Sequence, residues 1–157
     1  MPICDTTDLR ALEDAHATCT EALLIWRELA QARPDTHLSD VPVTLNTLGV
    51  VLRGLGAFED ARTTYTEAVA IYRELSLSSP DLYRSDLAGT LNTLGVVLRD
   101  MRGLEEARAA HTEALLIYRE SALSRPEVYQ PVLAMFLCPF ANAQDPIGTL
   151  EDDRRAA

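Results

Sequence analysis

The decapeptide TLNTLGVVLR fills residues 44–53 and returns unchanged at 90–99. A chain that spells one string twice, 46 positions apart, must fold as a repeated unit of that length. The match continues past the string: aligning 40–85 with 86–131 leaves 25 of 46 positions identical. It takes in EDAR/EEAR, TEA, IYRE and the Pro80/Pro126 pair. A further copy of the second half lies upstream, where 12–35 matches 58–81. A unit of this size cannot bury its apolar face alone, so stacked units forming a solenoid are expected.

Each unit reads as two helices. Leu45, Leu48 and Val51/Leu52 recur at helical spacing, as do Leu91, Leu94 and Val97/Leu98. Asp40 and Asp86 stand where N-caps belong, and Gly54-Leu55-Gly56 and Gly103 supply the stops. The second helix opens on paired acids, Glu59-Asp60 and Glu105-Glu106, which favour the positive end of its dipole. It runs on through Ala61, Tyr65, Ala68, Ile71 and Tyr72, with Pro80 and Pro126 just past its end.

Composition agrees with helices and narrows the partners. Of the 157 residues 47% are hydrophobic and only 6% aromatic. The formal net charge is −10, and every basic residue except histidine is arginine, with no basic run. Such a surface repels nucleic acid and anionic membranes, so neither is expected as a partner. Cys4, Cys19 and Cys138 form no CxxC pair and no disulfide framework, which fits a reducing cytoplasm. The N-terminus lacks the pattern of a signal peptide, and the apolar stretch 132–140 is too short to span a bilayer.

The pattern resembles the tetratricopeptide repeat family: a Leu-Gly in the first helix, then small, large and small residues on the second. Here these are Leu48-Gly49, Ala61, Tyr65 and Ala68 in one unit, and Leu94-Gly95, Ala107, His111 and Ala114 in the next. Ala15, Cys19 and Ala22 repeat the second-helix part upstream. The LNTLG string and the unit length are similar to the long-repeat branch, as in kinesin light chains and microbial multi-repeat proteins. The resemblance covers about residues 8–137. It implies an all-α solenoid of antiparallel helix pairs, a right-handed superhelix with a concave face, acting as a scaffold for protein or peptide binding.

Chemistry other than binding finds little support. His16 and Cys19, three apart, could be imagined as metal ligands, but His16 aligns with Arg62 and Arg108, and Cys19 with Tyr65 and His111. His37 aligns with Tyr83 and Tyr129, a recurrent ring expected to pack in the inter-repeat loop. Glu21/Glu67/Glu113 and Glu28/Glu74/Glu120 recur with the helix, whereas an acid–base pair needs one asymmetric pocket. The glycines match no phosphate loop. No enzymatic activity, cofactor or metal is expected.

The first helices offer the candidate site. Asn46, Val50 and Arg53 share one helix face, and Asn92, Val96 and Arg99 form the same trio in the next unit. Asparagine offers a donor and an acceptor to an extended backbone, and arginine can clamp a carboxylate. The resemblance adds that Asn46 and Asn92 match an asparagine that often touches the bound peptide. The alternative is that both trios are exposed polar residues copied by duplication.

The expected organisation is an N-terminal segment 1–7, a half repeat 8–39, repeats 40–85 and 86–131, a truncated first helix 132–140 and a polar tail 141–157. In that last helix Pro139 should act as a breaker, and Ala141 fills the glycine slot. Neither end carries a polar cap, and Met135, Phe136 and Phe140 make the C-terminal end strongly apolar. A second reading follows: a structural or regulatory fragment of a larger multi-repeat protein, self-associating as a homo-oligomer through these ends.

Overall fold

A computed structural model describes residues 6–143, with side-chain surroundings from Asp8 to Leu137. Cys4, most of segment 1–7, and 144–157 of the tail lie outside the described residues, as do the side chains of Cys138 and Phe140. Among the described residues every element is a helix: α1 (Thr6–Ala32), α2 (Pro34–His37), α3 (Asp40–Gly54), α4 (Phe58–Ser78), α5 (Pro80–Asp100), α6 (Leu104–Ser124) and α7 (Pro126–Ala143). The all-α expectation holds.

Two compact units divide at Ala114/Leu115, a boundary that falls inside α6. In the first unit α3 packs between α1 and α4, and α5 packs on α4. Its core is Leu45, Leu48, Val51 and Leu52 of α3, Ala61, Tyr65, Ala68 and Tyr72 of α4, and Leu87, Leu91, Leu94 and Leu98 of α5. The second unit has its own small core, in which Tyr118 rests against Phe136 with ring centroids 5.3 Å apart.

The tightest packing is at the repeated glycine. A Cβ at Gly49 would lie 2.5 Å from Cζ of Tyr65, and one at Gly95 would lie 2.7 Å from Cε1 of His111. Real Cβ atoms do not approach so closely, so each glycine is the space that the ring occupies. Ala61 and Ala68, and Ala107 and Ala114, are buried around those rings, as their small size requires. The aligned ring of the inter-repeat segment also packs: His37 lies 5.8 Å from Trp26 and Tyr83 lies 6.5 Å from Tyr72, centroid to centroid.

Three local expectations are corrected. First, Asp40 and Asp86 are not N-caps. α5 begins at Pro80, so the supposed loop is the single residue Ser79, and Asp86 lies inside the helix. Proline preset for the first helical turn, with an extended residue before it, starts the helix where the chain leaves α4. In the preceding unit Ser39 is the cap position and Asp40 lies in the first turn. Pro42 stands there where α5 has Ala88; lacking an N–H, it cannot bond the carbonyl of Leu38, and the stretch divides into α2 and α3.

Second, Gly103 is not the residue that turns the chain. Gly56 takes the left-handed conformation after α3, at φ 75°, and its counterpart after α5 is Arg102, at φ 65°. Both ends close with the same bonds, Ala57 N–H to Leu52 and Gly103 N–H to Leu98. Third, α7 runs through Pro139 to Ala143. A proline deletes one hydrogen bond of the ladder and leaves the flanking ones in place.

Two stability outcomes follow. Gly49→Ala should destabilise by about 1–3 kcal/mol through overpacking, although alanine favours helix; in a Tyr65→Ala background the penalty should vanish. Chemical denaturation of the four-variant cycle measures it. Arg102→Gly, at an exposed left-handed position, should raise stability by roughly 1 kcal/mol in the same assay.

Candidate functional site

Once leucines and the glycine seat α3 on its neighbours, the opposite face is fixed. Asn46 and Val50 line a recess of about 210 Å³ with Tyr65 of α4 and Ser85, Asp86, Gly89, Thr90 and Thr93 of α5. The recess therefore sits between the first helices of successive repeats. Val50 is 60% exposed at its rim.

A hydrogen-bond relay orients the asparagine. Thr90 Oγ1 donates to the Asp86 carbonyl at 2.8 Å, so it is an acceptor for Asn46 Nδ2 at 2.9 Å. That fixes the amide orientation and leaves Asn46 Oδ1 buried without a partner. The Tyr65 hydroxyl is also buried without a partner. Leaving either group unpaired is costly, on the order of 1–3 kcal/mol. Burial raises the Tyr65 pKa, with Arg53 pulling it down. Burial likewise raises that of Asp86 and takes Tyr72 up to about 12, helped there by Asp86 and Tyr83. The recess is thus lined by one unpartnered acceptor, Asn46 Oδ1, one unpartnered hydroxyl, that of Tyr65, and the carboxyl group of Asp86.

The remaining members of the trios are placed differently. Arg53 reaches across the repeat boundary to Asp100, Nε to Oδ2 at 3.2 Å, while staying partly exposed. Asn92 and Val96 are half-buried, and Arg99 is exposed. The structure brings Asn46 and Val50 into one recess; its α5 residues Ser85, Asp86, Gly89, Thr90 and Thr93 correspond in the sequence repeat to Pro131, Val132, Met135, Phe136 and Pro139, all apolar.

Sequence reasoning missed Ser85, Asp86, Thr90 and Thr93 as lining residues, because it placed residues 80–85 in a loop and made Asp86 a cap. It also missed a ladder on the other side of the repeats. One guanidinium nitrogen of Arg27 donates to both oxygens of Glu67, at 2.6 and 2.8 Å, and Arg73 does the same to Glu113 at 2.8 Å. The repetition of Glu21/Glu67/Glu113 together with Arg27/Arg73/Arg119 was the available signal.

The family's sequence profile, described as tetratricopeptide repeat, matches residues 43–80 and 87–122. This chain is a tetratricopeptide-repeat protein. Repeats of this family generally mediate protein–protein interaction, and the helix pairs described above are its α-solenoid units. Among solved structures, the crystal structure of BtubC (BKLC) from P. vanneervenii is similar at 20% identity, with a TM-score of 0.38. The match covers 70% of this chain and 58% of that one, so the tetratricopeptide-repeat chain spans less than two thirds of that protein's length. No curated protein matches significantly. Among the described residues no group of three or more His, Cys, Asp or Glu is placed to hold a metal ion, and no helix is long and apolar enough to cross a membrane.

His111, the ring seated on Gly95, gives this architecture a pH dependence. Burial lowers its pKa from 6.5, and the nearby Arg99 charge lowers it further. Between 6.5 and that lower value the unfolded chain binds the proton and the folded chain does not, so this residue's contribution to stability falls as pH drops through that window. Replacing it with the tyrosine of the preceding repeat removes the effect. The melting temperature of His111→Tyr relative to wild type should therefore rise progressively from pH 8 to pH 5.

Proposed function

We propose that the chain binds an extended protein segment across the first helices of its repeats, at the recess of Asn46, Tyr65 and Asp86. The observation that carries this reading is a pair of buried, unpartnered polar atoms on two residues, Asn46 and Tyr65, that line one recess. A peptide group supplies both complements, an N–H for Asn46 Oδ1 and a carbonyl for the Tyr65 hydroxyl. Asp86 adds a preference: an arginine or lysine side chain of the ligand would pair with it and be drawn by the net charge of −10. The exposed Val50 supplies apolar surface at the rim. Arg53 and Arg99 remain the groups for a carboxylate further along the same face.

A random peptide library displayed on phage and panned against the full chain tests this directly. Enriched peptides should carry arginine or lysine. Their affinity should fall about tenfold, or 1.4 kcal/mol, in Asn46→Ala and in Asp86→Asn, with melting temperature as the control for folding. Arg53→Glu combined with Arg99→Glu should weaken only those peptides that also carry acidic residues. Binding indifferent to both Asn46→Ala and Asp86→Asn would sink the recess as the site.

A further inference from the structure

The donors and acceptors around the recess narrow what can fill it. Thr90 Oγ1 donates its proton to the Asp86 carbonyl, and Thr93 Oγ1 donates to that of Gly89 at 3.1 Å. Asn46 Nδ2 donates to Thr90. What these side chains have left is oxygen lone pairs, above all on Asn46 Oδ1, buried without a partner. Tyr65, 1% exposed, lines the same recess, and its hydroxyl also lacks a partner. Asp86 is exposed, so a group arriving from solvent can reach it.

The charge of Asp86 is unanswered within the chain. Its counterpart Asp40 has His37 Nδ1 3.4 Å from Oδ2, but the residue in the place of His37 is Tyr83, which carries no positive charge. Arg53, whose charge acts on Tyr65, is held by Asp100. Among the described residues Asp86 forms no ion pair. The relay also ties the two acceptors to one place: Asn46 bonds Thr90, and Thr90 bonds the carbonyl of Asp86 itself.

We propose that the recess selects arginine over lysine, taking the guanidinium of one ligand arginine between the Asp86 carboxylate and Asn46 Oδ1. This rests on the reading above, that a protein segment lies across the first helices, and names the side chain that anchors it. A guanidinium carries five N–H donors in a fixed fork and no acceptor. One edge pairs with the carboxylate while a further N–H serves the amide oxygen. Asn46 Oδ1 has two lone pairs, so it takes this N–H beside the backbone one. An ammonium is a compact, strongly hydrated charge without that fork, and it loses more hydration for fewer fixed bonds. Gly89 lies one turn from Asp86 on the lining face and puts no side chain there, where its counterparts are Val43 and Met135.

Two random-peptide phage libraries, identical but for a fixed central arginine or lysine and free of other basic residues, are panned against the full chain. Recovered peptides that lose affinity in Asn46→Ala or Asp86→Asn are synthesised with arginine, lysine or citrulline at the centre and titrated by calorimetry. Against the wild-type chain lysine should weaken binding about tenfold, and citrulline, which is uncharged and adds an acceptor, should weaken it further. In Asp86→Asn the arginine and lysine peptides should bind alike. A general attraction of cations to an acidic surface would instead lower both equally and keep the gap between them, and that result would overturn the proposal. Equal affinities of the arginine and lysine peptides for the wild-type chain would overturn it too, while leaving the bound segment in place. Recovery of no peptide sensitive to either substitution would remove both the segment and its anchor.

Discussion

Everything in this fold depends on a ring occupying the space where a Cβ would be. Gly49 under Tyr65 and Gly95 under His111 set how closely the two helices of a repeat approach. With that spacing fixed, the small residues Ala61, Ala68, Ala107 and Ala114 become obligatory, and Leu45, Leu48 and Leu52 of α3 and Leu87, Leu91, Leu94 and Leu98 of α5 face inward. The polar face of that helix is then turned outward at a defined angle. Stability and the candidate site therefore share one origin, since Tyr65 seats the joint with its ring and offers its hydroxyl to the recess.

Successive repeats are joined on two sides by different chemistry. On the first-helix side Asn46 bonds Thr90, and Arg53 pairs with Asp100. On the second-helix side exposed arginine–glutamate pairs recur at 40-residue separation. Exposed pairs of this kind contribute little each, about 0.2–1 kcal/mol, and are screened by salt. Their value lies in register. An arginine that finds a glutamate only when repeats stack in phase disfavours a slipped arrangement more than it strengthens the right one.

The repeat, its helical content and the leucine core were legible because identity at a fixed period reports packing that recurs. The close approach at Gly49 was legible for the same reason: glycine beside leucine recurs opposite a ring. What escaped was asymmetric between copies. Pro42 against Ala88 decides whether the first helix starts at the proline or after a break, and a residue-by-residue alignment treats that difference as a neutral mismatch. Arg102 against Gly56 is the same case, since the turn's conformation survives a change that sequence patterns count as its loss. The recess inherited the first of these: its wall from Ser85 onward follows from α5 beginning at Pro80.

That asymmetry also bears on why one recess is polar. Duplication copies a site only where both sides of it are copied. The trio Asn46, Val50, Arg53 reappears intact as Asn92, Val96, Arg99, but the partners of the first trio come from the following repeat. Thr90, which holds Asn46 in orientation, corresponds to Phe136, and Asp86 corresponds to Val132. Phenylalanine has no hydroxyl oxygen to accept a hydrogen bond in the way that Thr90 accepts one from Asn46. An identical decapeptide thus need not carry an identical site, since Thr90 and Asp86, which complete the first recess, come from the helix that follows it rather than from its own residues.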